Sequence, residues 1–250
     1  MTSLFLGLDV SGADSNSVSS KWIYTWTGPM WDWAVGLALE GSNVYAAGHI
    51  SETTPDGSFM ADGFLVKIRS NGRQAWNYTL GRGGFDEFKD VAYRNGYAYV
   101  VGYYEPAERA PGDAVIVKLT GDGEEVWRRT WKGNTDEVLY SVHVYGGYVY
   151  AAGDTTHPVS RRGSGWSPAG LQEEQEEWKM KGLVLKYDLE GQYVWHKILD
   201  LGGMTSLGDI RVQDRWMYVV GFAETGGGEQ RDILVARLSP EDGSLVWAYT

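Results

Sequence analysis

Four times along the chain a tyrosine is followed three residues later by a glycine, as Tyr45/Gly48, Tyr99/Gly102, Tyr150/Gly153 and Tyr218/Gly221. Each copy then closes on a glycine and a tryptophan four apart, as Gly72/Trp76, Gly123/Trp127, Gly191/Trp195 and Gly243/Trp247. A fifth tryptophan, Trp22, stands at the matching place ahead of the first copy, and the intervals between the five are 54, 51, 68 and 52 residues. That period is longer than helical solenoid repeats use and matches one blade of a β-propeller.

Within the second copy, four short runs separate cleanly: A (Asp90–Arg94), B (Tyr97–Tyr103), C (Asp113–Leu119) and D (Glu125–Trp131). The A–B and C–D connections are short and glycine-bearing (Asn95-Gly96, Gly121-Asp122-Gly123), as hairpin turns require. The B–C and D–A connections are longer and vary. With 34 glycines and 34 aromatics in 250 residues, many short strands joined by tight turns are favoured over helices. The expected fold is all-β: a single propeller domain over residues 1–250, with four full four-stranded blades at about 28–80, 81–132, 133–200 and 201–250. Leu4–Leu8 and Lys21–Trp26 read as C and D runs without A and B, giving an N-terminal half-blade, 1–27. The ring then has four or five blades. Either the half-blade stands as a reduced fifth blade, or it pairs with the last D run, Val246–Thr250; if neither happens, an open edge invites homo-oligomerisation by strand addition.

The third copy carries an insertion of about 17 residues, within 157–180, in its B–C loop. Composition permits about two helical turns over Gln172–Lys179, a length that is marginal unless docked. Alternation of antiparallel strands puts all B–C and D–A loops on one face, the natural place for binding on a rigid scaffold.

Asp62-Gly63-Phe64-Leu65-Val66-Lys67-Ile68 with Asn71-Gly72…Trp76, and Asp113-Ala114-Val115-Ile116-Val117-Lys118-Leu119 with Asp122-Gly123…Trp127, resemble the SBBP β-propeller repeat of bacterial and archaeal proteins. The glycine-to-tryptophan element is also similar to the tryptophan docking motif of quinoprotein (PQQ-like) repeats, in which one blade's tryptophan packs on its neighbour. The resemblance implies architecture and carries no catalytic residues, and the quinoprotein cofactor site has no counterpart here. No cofactor is therefore expected.

A net charge of −11 argues against general nucleic-acid affinity, which draws on Lys and Arg. With no cysteine in the chain, disulfides, thiolate zinc sites and cysteine nucleophiles are excluded. No apolar stretch reaches the ~20 residues of a membrane-spanning helix, and Met1–Val10 lacks the basic region of a signal peptide. The expectation is a soluble, cytoplasmic protein.

Counting thirteen residues back from each repeat tyrosine gives Asp32, Asp86, Glu137 and Thr205, at the start of run A, with Glu87 and Asp136 beside them. On the innermost strand these would ring the mouth of a central channel. Asp32, Asp86 and Glu137 are then candidates for a Ca²⁺-like cation or for a basic protein segment; solvated loop acids or turn caps are the alternative. The lysine column Lys67, Lys118, Lys186 and Arg237 is expected to pair with acids such as Asp62, Asp113 and Asp232. His49, His143, His157 and His196 show no ligand spacing. Trp166 and Trp178 in the insertion lie outside the repeat pattern and are candidate binding residues. The leading functional expectation is a non-catalytic interaction scaffold for a protein or a basic, cationic ligand. The alternative is a carbohydrate-active hydrolase or lyase using carboxylates such as Asp86 and Glu137, or a lectin-like sugar binder.

Overall fold

A computed structural model of the chain describes residues 22–250 except 27, 29, 54–56, 58, 82–83, 107–110, 134, 163–173 and 226–229, with backbone alone for 157–162 and 174–178. Among the described residues there is no helix, and so none long and apolar enough to cross a membrane.

Among the described residues sixteen strands form four antiparallel sheets of four, each with its strands side by side in chain order. Sheet 1 holds β1 (Trp33–Glu40), β2 (Asn43–Thr53), β3 (Phe59–Ile68) and β4 (Gln74–Leu80). Sheet 2 holds β5 (Glu87–Arg94), β6 (Tyr97–Tyr104), β7 (Asp113–Thr120) and β8 (Glu125–Trp131). Sheet 3 holds β9 (Glu137–Tyr145), β10 (Tyr148–Arg162), β11 (Glu174–Asp188) and β12 (Tyr193–Leu199). Sheet 4 holds β13 (Thr205–Gln213), β14 (Trp216–Glu224), β15 (Arg231–Leu238) and β16 (Leu245–Tyr249). The sheets fall within the four expected blade spans. Of the N-terminal half-blade, Leu4–Leu8 lies outside the described residues.

The repeat glycine has one structural cause. Each first strand carries a bulge opposite it, where the cross-strand register steps over one extra residue, Val35, Lys89, Tyr140 or Gly208. The bulge drives the first strand's backbone onto the second. A Cβ on Gly48, Gly102, Gly153 or Gly221 would lie 1.8–1.9 Å from a backbone carbonyl oxygen, that of Trp33, Glu87, Val138 or Ser206. Only a residue without a side chain fits.

The chain divides into two compact units, Met1–Arg109 with Ile116–Arg128, and Ala110–Val115 with Arg129–Thr250. In the first, sheet 1 packs against sheet 2: Tyr45 stacks on Tyr93 at 5.1 Å and meets Trp76 edge-on at 5.7 Å. Trp76 Nε1 donates to Gly121 O (3.0 Å), and the Gly123 backbone lies under the indole. The opposite face of sheet 1 takes Trp22, Tyr24 and Trp26, which alternate inward against Phe64, Val66 and Ile68. Trp22 Nε1 donates to Ser70 O (3.0 Å), the same joint one repeat earlier. In the second unit, sheet 3 packs on sheet 4 through Tyr150, Ala152 and Val184 against Ile210, Val212 and Met217, with Trp195 set over Gly243.

Two expectations change. Glu174–Lys179 is strand, not helix: the insertion lengthens β10 and β11 to 15 residues each, and they pair from Tyr148↔Asp188 out to Arg162↔Glu174. A hairpin already growing in register supplies every added residue with a partner, which a two-turn helix in water lacks. The lysine column keeps an acid partner at Lys67, though it is Glu40 and not Asp62. Lys67 Nζ bonds Glu40 Oε2 (2.6 Å) and Gly121 O (2.9 Å), and Lys186 Nζ bonds Pro240 O (2.6 Å). Lys118, Lys186 and Arg237 lie 4.0–4.2 Å over the rings of Tyr97, Tyr148 and Trp216.

Candidate functional site

The repeated acids sit where the sequence puts them, at the start of each first strand, and their oxygens turn to backbone amides. Asp32 accepts from Gly28 N–H (2.6 Å) and Ser51 N–H (3.1 Å). Glu137 accepts from Gly133 N–H (2.8 Å), Thr135 N–H (3.4 Å) and Thr155 Oγ1 (3.1 Å). Asp86 Oδ1 accepts from Glu105 N–H (2.8 Å). Each clasps the second strand or the residue that follows it, at Ser51, Thr155 or Glu105, and two also clasp the preceding D–A loop. Asp86, Glu137 and Thr205 are fully buried, Asp32 half-buried.

Their neighbours are engaged as well. Glu87, buried, holds Lys89 Nζ at 2.5 Å and stands 3.2 Å from His49 Nδ1, without the alignment of a hydrogen bond. Asp136, exposed, accepts from Gly112 N–H (2.9 Å). Trp166 lies outside the described residues; Trp178 pairs with Pro158 in the backbone of β11, and its side chain is outside them too. His143 Nδ1 accepts from Val212 N–H (2.7 Å), and His196 Nδ1 meets Tyr193 Oη (2.8 Å).

Electrostatics singles out the joint of sheets 1 and 2. Burial acts against the Glu40 carboxylate, yet hydrogen bonds from Lys67, Tyr93 and Asn43 hold its pKa down at about 2. Asp86 is the opposite case. Burial pushes it up to about 6, against the pull of the Glu105 amide, and the charges of Asp62 and Glu105 add to the rise. Asp62 is raised by burial and by Glu52. Asp62 belongs to the C-run signature; its closeness to Asp86 was not foreseen from sequence, although each repeat sets the two 24 residues apart, as it does Asp113 and Glu137.

A raised folded-state pKa favours the protonated form in the fold. For Asp86 the resulting contribution is complete below the unfolded pKa of ~3.9 and is lost as pH rises through about 6. Asp86→Asn keeps an acceptor for Glu105 N–H and removes the charge. Relative to wild type it gains on the order of 2–3 kcal/mol at pH 8 and close to nothing at pH 4, read from urea denaturation in chelator-containing buffer at both values. An equal difference at the two pH values would contradict the assignment.

Among the described residues no group of three or more His, Asp or Glu is placed to hold a metal ion. No protein-family model matches the chain, and no curated protein matches it.

Proposed function

We propose that the protein is a non-catalytic interaction scaffold of the propeller type, built from SBBP-like blades, whose uncovered blade faces bind β-structure of a protein partner. One observation carries this reading. In sheets 1 and 3 the face bearing the repeat tyrosine is covered by the next sheet, with Tyr45 0 % and Tyr150 3 % exposed; in sheet 4 the matching Tyr218 is 36 % exposed. Its cross-strand neighbours share that face. Val220 and Trp247 are exposed beside it, and Ile233 and Tyr249 reach 77 % and 73 %.

Sheet 1 shows the converse. Leu37 and Leu39 on β1 are 64 % and 59 % exposed, whereas Val91 on β5 and Ile210 and Val212 on β13, in the same repeat positions, are buried against the preceding sheet. Large apolar side chains clustered on one sheet face mark an interaction surface. The joints inside each unit define what fits it: a strand pair with apolar residues at alternate positions, its turn carbonyls placed to take Arg237 and Trp247 as Gly121 O takes Lys67 and Trp76. The acidic balance of the chain favours basic residues around that apolar strip.

The test is capture of host proteins by wild type and by the Val220→Glu, Ile233→Glu double variant. Both positions are exposed, so the thermal midpoint stays within about 2 °C, while a genuine partner is lost at least tenfold. Undiminished capture by the double variant removes this surface from the proposal, and Trp166→Ala with Trp178→Ala then tests the insertion in its place.

A further inference from the structure

The repeats set a charge pair across the third and fourth strands, and the first repeat lacks one half of it. Five residues beyond the tryptophans Trp76, Trp127 and Trp195 stand Gly81, Lys132 and Asp200. Each adjoins, across the third and fourth strands, the residue that opens run C: Asp62, Asp113 and Lys181. In sheet 3 the two are opposite charges in contact, Lys181 Nζ to Asp200 Oδ1 at 2.6 Å. In the second repeat Lys132 is the positive charge that acts on Asp113. At the first, Asp62 meets a glycine.

The room left by that glycine is filled with carboxylate oxygen. A Cβ on Gly81 would lie 2.0 Å from Asp62 Oδ1 and 2.9 Å from Asp86 Oδ2, so the two oxygens are within about 5 Å of each other. Asp86 is 0 % exposed, and its Oδ2, aimed at this space, has no hydrogen-bond partner. Other charges acting here are Glu52 on Asp62, and Glu105 and Arg128 on Asp86; Arg128 is itself bonded to Glu125 (2.7 Å) and Tyr78 (2.9 Å). A fully buried carboxylate oxygen with no donor, beside a second carboxylate, is costly in its ionised form unless something positive lies between them.

We propose that Asp62 and Asp86 are the protein ligands of a hard divalent cation of the Ca²⁺ class, bound at the joint of sheets 1 and 2 in the place the second and third repeats give to a side-chain charge. Oxygens no more than about 5 Å apart can share one hard cation; Ca²⁺, with ~2.3–2.6 Å bonds and flexible coordination, suits an irregular pair of carboxylates better than Mg²⁺, which demands near-ideal octahedral geometry. With two carboxylates and water completing the shell, affinity belongs to the weak end of calcium sites, on the order of 10⁻⁴–10⁻³ M. The cation's role is to lock one blade against the next.

Chelator-stripped protein at pH 7.5 is titrated calorimetrically with CaCl₂, and its thermal midpoint is followed against NaCl of equal ionic strength. Wild type gives a saturable isotherm and a midpoint that rises with Ca²⁺ and less with Mg²⁺. Asp62→Asn, nearly isosteric, weakens binding at least tenfold, and Asp86→Asn does the same from the other ligand. Asp113→Asn, in the repeat that carries Lys132, responds as wild type. The proposal is overturned if wild type shows no saturable Ca²⁺ response beyond that to NaCl, or if Asp62→Asn and Asp86→Asn bind as wild type does.

Discussion

Gly102→Ala is expected to leave no cooperatively folded protein. The added Cβ falls 1.9 Å from Glu87 O and 2.9 Å from both Glu87 C and Phe88 Cα, and all three are backbone at the bulge, so no flexible side chain can give way. Phe88, the partner of Gly102, and Val101, the partner of Asp90, are fully buried. Relief therefore requires β5 to separate from β6, which costs the ladder bonds at the bulge together with the packing of β5 on sheet 1. The penalty is at least ~4–5 kcal/mol, the range reserved for severe core lesions, against a whole-domain stability of ~5–15 kcal/mol. Gly96→Ala is the comparison. Gly96 has φ +86° and nothing within 4 Å of a Cβ, so alanine there meets only the left-handed backbone penalty of about 1–2 kcal/mol. Circular dichroism and urea denaturation separate the two. A Gly102→Ala protein with the wild-type midpoint would show that the bulge geometry is wrong.

The features repeated four times were legible in the sequence, because a constraint imposed by one sheet recurs in every sheet. Run C at Asp113–Leu119 became β7, Asp113–Thr120, and run D became β8 with the same limits, Glu125–Trp131. The all-β class and the four-stranded sheets were readable for that reason. Side-chain partners were less legible. Lys67 lies five residues after Asp62, an odd separation that sends the two to opposite faces of one strand; the same count divides Lys118 from Asp113 and Arg237 from Asp232. Alternation alone was enough to reject those pairs. The acids at the start of run A were correctly placed along the chain, but spacing does not tell whether a carboxylate meets water or an amide. Glu137 finds the amides of Gly133 and Thr135, within four residues of itself, a loop-capping pattern that the sequence did hold. The uncovered faces of β1 and sheet 4 were not readable, since Tyr218 and Tyr45 occupy identical repeat positions and differ only in what packs on them.

That last difference sets the second large effect. Trp76→Ala empties the joint between sheets 1 and 2: it removes the edge contact to Tyr45, the indole cover over the Gly123 backbone, and the 3.0 Å bond to Gly121 O. Lys67 still reaches that carbonyl, so the acceptor is not orphaned, and the loss is mainly one of packing. Truncation of a packed aromatic to alanine costs ~3–5 kcal/mol. Trp76→Phe keeps most of the apolar volume and forfeits the N–H bond, a cost of about 1–2 kcal/mol. Trp247→Ala changes the same residue of the repeat where no further sheet is described on that face. Trp247 is 39 % exposed and touches its own sheet, chiefly Arg237 at 5.6 Å. Its loss costs no more than about 1 kcal/mol in the isolated protein. Denaturant midpoints of the three variants, measured side by side, should therefore fall in the order Trp247→Ala, Trp76→Phe, Trp76→Ala, with the last far below the others. Equal losses at Trp76 and Trp247 would mean that sheet 4 is covered in solution as sheet 1 is, and the face assigned to a partner would then be occupied by the protein itself.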